Sequence, residues 1–130
     1  MKLVACSLVL AASVALTAPA YAVPDKQAPA EVTPMEARSW IALFDKVVAT
    51  VVANRAECPK MATGLNTVID ANQETIAMAR DAKAKGKRLP PAAQQQMIDG
   101  MRRMMASLDK CGRDDKVAQA FFRLDLGGRK

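Results

Sequence analysis

The sequence predicts an all-α protein, a small three- to four-helix up-down bundle tied by one disulfide. Three observations carry that expectation. After residue 33, apolar residues recur at three- and four-residue spacing through most of the chain, the period of helices with one buried face. Helix-start and helix-stop residues bracket each of these runs. Two cysteines, Cys58 and Cys111, fall where short connections would bring two helix ends together.

The first helix is expected over about 34–56. Thr33-Pro34-Met35-Glu36 combines an N-cap threonine, proline at the first helical position and a glutamate placed to reach back to the cap. Trp40, Ile41, Phe44, Val47, Val48, Val51 and Val52 then form its apolar face. A second helix, about 59–85, starts at Pro59 with Cys58 beside its N-cap and stops at Gly86. Its stripe is Met61, Leu65, Val68, Ile69, Asn72, Ile76 and Ala79, with Asn72 read as a polar group that sets register in the core.

Leu89-Pro90-Pro91 is a turn leading into a third helix, about 91–110, with Met97, Met101, Met104, Met105 and Leu108 on its face. Asp114 caps a fourth, about 115–126, which carries Val117, Phe121, Phe122 and Leu124 before Gly127-Gly128. If the first three helices run up, down and up, Cys58 and Cys111 meet at one end of the bundle. Their bridge closes a loop of more than fifty residues, worth roughly 4 kcal/mol in the chain-entropy view.

Residues 1–22 read as a cleavable secretory signal peptide. Lys2 supplies the positive start, Leu3 to Leu16 the apolar stretch and Ala20-Tyr21-Ala22 the small-residue exit. The apolar stretch is shorter than the ~20 residues a membrane span needs, so no stable membrane anchor is expected after cleavage. Cys6 precedes most of the apolar region instead of following it, which removes a lipoprotein reading. Residues 23–32, with two prolines, mixed charge and no periodicity, read as a flexible leader, and residues 33–130 as the helical domain. Export, to the periplasm or outside the cell, is an oxidising destination and suits a Cys58–Cys111 disulfide. The formal charge of +6 drops to +5 with the loss of Lys2, a moderate basic excess.

Composition excludes several chemistries. The chain has no histidine, which removes Ser–His–Asp and Cys–His catalysis, histidine-containing zinc sites and haem attachment through C-x-x-C-H. No glycine-rich phosphate loop is present. The carboxylates fall in patterns expected of helix surfaces and caps. No cofactor and no catalytic residues are expected, and the chain is read as a non-enzyme.

Three features bear on function. Met97, Met101, Met104 and Met105 lie largely on one helix face by spacing. Thioethers are soft ligands for Cu(I), but methionine also fills irregular cores and adaptable binding surfaces. Lys83, Lys85, Lys87 and Arg88 crowd one turn, where cations favour the negative end of a helix dipole. No aromatic is interleaved among them for base stacking, so nucleic acid is not expected as a partner. Cys58 and Cys111 lack C-x-x-C spacing, which favours a structural bridge over a redox pair.

In its export, basic charge, methionine use and Thr33-Pro34-Met35-Glu36 helix start, the chain resembles small helical periplasmic stress chaperones of the Spy/CpxP type. It lacks the repeated Leu-Thr-x-x-Gln motifs of that family. In layout alone it is also similar to four-helix cytochromes of the c-prime type, without their haem motif. The first resemblance implies a helical protein that binds other polypeptides. The leading expectation is thus an exported, non-enzymatic, chaperone-like bundle that binds a protein or peptide through an exposed apolar patch or groove. The alternative is a periplasmic Cu(I)-binding protein using Met97, Met101, Met104 and Met105.

Overall fold

The structure is a computed structural model and describes residues 30–124. The expected signal peptide, most of the leader and residues 125–130 lie outside the described residues. Five α-helices follow in order: α1 Pro34–Ala53, α2 Cys58–Ala71, α3 Gln73–Ala84, α4 Pro91–Ser107 and α5 Asp115–Leu124. The described residues form no strand beyond one isolated bridge between Glu31 and Arg88. The all-α expectation therefore holds, with five helices among the described residues in place of three or four.

α1 starts as its sequence dictates. The Thr33 hydroxyl accepts the Glu36 N–H at 3.2 Å, and the Glu36 carboxylate accepts the Thr33 N–H at 2.7 Å. This reciprocal capping box satisfies two backbone donors that the first turn leaves open. The helix stops at Ala53, three residues short of expectation. Asn54 ends it, both its backbone and side-chain amides donating to the Thr50 carbonyl. Val52, placed in the apolar face by spacing, is largely outside it, whereas Leu43 is buried.

The expected single helix over 59–85 is two helices. At Asn72 the backbone leaves the helical region, with φ −129° and ψ 30°. The Asn72 side-chain amide donates to the Val68 carbonyl at 2.7 Å, and that of Gln73 to the Ile69 carbonyl at 2.9 Å. Side chains thus take carbonyls that the backbone ladder would otherwise use, a known route to a helix break. Asn72 is a half-buried break residue, not a core polar group setting register. The stripe survives the break because Ile69 and Ile76, seven residues apart, both remain buried.

α3 ends at Gly86, whose φ of 67° needs a residue without a Cβ. The Lys87 N–H donates to the Ala82 carbonyl and the Gly86 N–H to the Lys83 carbonyl, the paired closure of a Schellman cap. The chain then runs beside residues 30–32. Arg88 donates to the Ala30 carbonyl and accepts from the Val32 N–H, both at 2.9 Å. The end of the expected leader is therefore pinned, and Val32 packs with Ala37, Ala82 and Leu89 in a small second core.

Side-chain contacts give the helix directions. Trp40 meets Met97 near the starts of α1 and α4. At the other end, the Lys110 ammonium donates to the Ala56 carbonyl and Cys111 approaches the Arg55 carbonyl. α1 and α4 thus run the same way, with α2 and α3 returning between them. α5 lies along α2 and runs with it, since Arg123 at its end reaches Asn66 and Asp70. Asp114 caps α5, its carboxylate accepting the N–H groups of Lys116 and Val117 at 3.0 Å. Val117, Ala120 and Leu124 are its buried residues; Phe122, expected in the stripe, faces solvent.

The main core joins Leu43, Phe44, Val47, Val48 and Val51 of α1 to Met61, Leu65 and Ile69 of α2. Ile76, Met104, Val117, Ala120 and Leu124 complete it from the other three helices. Cys58 and Cys111 sit at disulfide distance at one end, their Cα atoms 5.2 Å apart. No described helix is long and apolar enough to cross a membrane.

Candidate functional site

The outer face of α4 has its origin in how tightly α1 and α4 approach. Gly100 is buried in that contact. A Cβ on it would lie 2.5 Å from Cε1 of Phe44 and 3.3 Å from Cγ2 of Val48. Only a residue without a side chain allows the approach. The buried residues of α4 are Ala93, Gly100, Met104 and Ser107, three of them small. At 3.6 residues per turn they occupy an arc of about 60°.

Three other large apolar residues of α4 stand on the neighbouring arc. Ile98, Met101 and Met105 are separated by three and four residues and cover about 60° of the helix surface at 3.6 residues per turn. They are 48%, 38% and 62% exposed. Met104 is thus the one large apolar side chain buried on α4, while Ile98, Met101 and Met105 face solvent beside buried small side chains, an exposure that apolar burial alone would not select. Arg102 and Arg103 are exposed on the same helix, and Gln95 donates to Asp99 at 3.1 Å one turn earlier.

The four methionines therefore do not share one environment. Met104 is in the core, 3% exposed. Met97 is half-buried between the two arcs, and its sulfur accepts the Trp40 indole N–H at 3.2 Å. Met101 and Met105 are at the surface. Spacing placed all four on one face because they do fall within one broad arc; the core boundary runs through that arc. Ile98 was the residue missed, although its spacing to Met101 and Met105 was the available signal.

The basic turn also divides. Lys85 pairs with Asp81 at 2.9 Å, and that hydrogen bond raises the ammonium pKa above its usual value. Arg88 is exposed and held through its backbone. Lys83 and Lys87 border a groove of about 350 Å³ whose walls include Trp40, Ile76, Ala79 and Met97. The sequence offered no direct sign of that groove.

The remaining polar groups are structural in their contacts. Glu36 has its pKa lowered, chiefly by the hydrogen bond from the Thr33 backbone. Arg123 binds Asp70 and donates to Asn66 at 2.6 Å, fastening α5 to α2. Among the described residues no cluster of histidine, cysteine, aspartate or glutamate is arranged to hold a metal ion. Every buried side-chain nitrogen or oxygen described has a hydrogen-bond partner. Comparison with known proteins finds no matching family, no matching curated protein and no matching solved structure.

Proposed function

We propose that this is an exported, non-enzymatic, chaperone-like protein that binds apolar segments of other polypeptides on the outer face of α4. The observation that supports this reading is the line of Ile98, Met101 and Met105 standing in solvent while Ala93, Gly100 and Ser107 occupy the core side. Exposed apolar side chains in a row mark interaction surfaces more often than scattered ones do. Methionine adds unbranched, polarizable side chains that fit differently shaped partners. Arg102, exposed next to the row, favours partners with acidic flanks.

Export belongs to the same proposal. The Cys58–Cys111 pair suits an oxidising compartment, and the basic start, apolar stretch and Ala20-Tyr21-Ala22 exit suit a signal peptide. The Cu(I) alternative has weaker support, since Met97 is engaged with Trp40 and Met104 is enclosed in the core.

The test is light scattering from a heat-unfolded client enzyme, with and without this protein. Wild type should suppress scattering near equimolar ratio. An Ile98→Ser, Met101→Gln, Met105→Gln variant should not, while keeping its helical circular dichroism. Equal suppression by both proteins, or none by wild type, would remove the proposal.

A further inference from the structure

The groove bordered by Lys83 and Lys87 lies where α1, α3 and α4 come together beside Leu124, as an apolar concavity. Trp40, Ile76, Ala79, Met97 and Leu124 are among the residues that line it. Its volume is about 350 Å³, within the range of small-ligand pockets lined by apolar residues and a few placed polar groups.

The charges at this groove are mostly of one sign. Lys83 and Lys87 line it and make no ion pair or side-chain hydrogen bond among the described residues. Arg80 is also at the lining and donates to the Arg123 carbonyl at 2.7 Å. The one acid among the described lining residues, Glu36, accepts the Thr33 N–H at 2.7 Å and lies within electrostatic reach of Lys87. An apolar trough whose described lining carries more cations than acids, with Lys83 and Lys87 in no direct ion pair, is complementary to a molecule with a hydrocarbon body and one anionic end.

We propose that this groove binds a single-chain anionic amphiphile of the fatty-acid class, its tail against Trp40, Ile76 and Met97 and its carboxylate at Lys83 and Lys87. The site is separate from the α4 face, so the two proposals stand or fall independently. Dodecanoate, a single-chain carboxylate with a flexible hydrocarbon tail, is the probe for this class.

Trp40 is the only tryptophan in the chain and forms part of the wall, so it reports occupancy directly. Titration with dodecanoate below its micelle concentration should give a saturable change in Trp40 fluorescence at one equivalent. Decanoate should bind about fifteenfold more weakly, from the loss of two buried methylenes. Dodecyltrimethylammonium, with the same tail and the opposite charge, should bind at least about tenfold more weakly than dodecanoate. A Lys83→Gln, Lys87→Gln variant should lose that preference for the anion while retaining its helical spectrum. No saturable response to dodecanoate would overturn the proposal. So would equal binding of both charges, or a preference that survives the double substitution. Displacement of dodecanoate by an acidic apolar peptide of higher affinity would assign the groove to polypeptides instead.

Discussion

Replacing Gly100 with alanine sets two effects of opposite sign against each other. In an open helix interior, alanine is favoured over glycine by about 1 kcal/mol, because glycine loses more backbone freedom on folding. Here the added Cβ would stand 2.5 Å from Cε1 of Phe44, and real Cβ atoms essentially never approach closer than 3.0 Å. Phe44 is 2% exposed and packed within the main core, so moving its ring displaces other core side chains. Overpacking a filled core costs typically 1–3 kcal/mol, which exceeds the propensity gain over most of that range. Gly100→Ala should therefore destabilise the protein by up to about 2 kcal/mol. For a domain of this size the melting temperature should fall by up to roughly 15 °C. Urea denaturation followed by circular dichroism gives the free energy directly. In a Phe44→Leu background the cost of Gly100→Ala should shrink, since the atom it strikes is gone. If Gly100→Ala raised stability by about 1 kcal/mol, as at an open helix site, the close α1–α4 approach would be wrong. The placement of α4's outer face would fall with it.

Three further outcomes follow from the same contacts. Replacing both cysteines by serine should cost about 4 kcal/mol, because Cys58 and Cys111 are 53 residues apart and the bridge restricts a long unfolded loop; the urea midpoint reads it. Phe44→Ala should cost about 3–5 kcal/mol as a core truncation, whereas Phe122→Ala, at a site 79% exposed, should stay within about 0.5 kcal/mol of wild type. Glu36 has a folded pKa below its ordinary value, so its contribution is fully present above the unfolded-state value and is lost as pH falls through the folded one. Unfolding measured from neutral to acid pH should thus show a shallower decline for Glu36→Gln than for wild type.

Much of this architecture was legible because the sequence marks its helix ends. Thr33-Pro34-Met35-Glu36, Gly86 and Asp114 each act through local backbone groups, and each does so in the structure. The cysteine pairing followed from helix direction, which short connections constrain. The break at Asn72 was not legible. Ile69 and Ile76 keep the same phase with or without it, and apolar periodicity carries no information about which carbonyl an amide side chain takes. The faces of α4 were misjudged for a related reason. Met104 is in the core as read, but Met101 and Met105 are not, and the rest of the buried side is Ala93, Gly100 and Ser107, whose small size lets α1 come close. The groove is assembled from residues of α1, α3 and α4 that are remote in sequence, which no local pattern encodes.

The most direct test of polypeptide binding on α4 is site-specific photo-crosslinking in the intact protein. A benzophenone-bearing amino acid would replace Met105 in one preparation and Phe122 in another, each mixed with a heat-unfolded client. Both positions are apolar and exposed, but only Met105 belongs to the α4 row. Strong client adducts from position 105, with few from position 122, are the predicted result. Adducts of equal yield from both positions, or none from position 105, would contradict the proposal that this face is the binding surface.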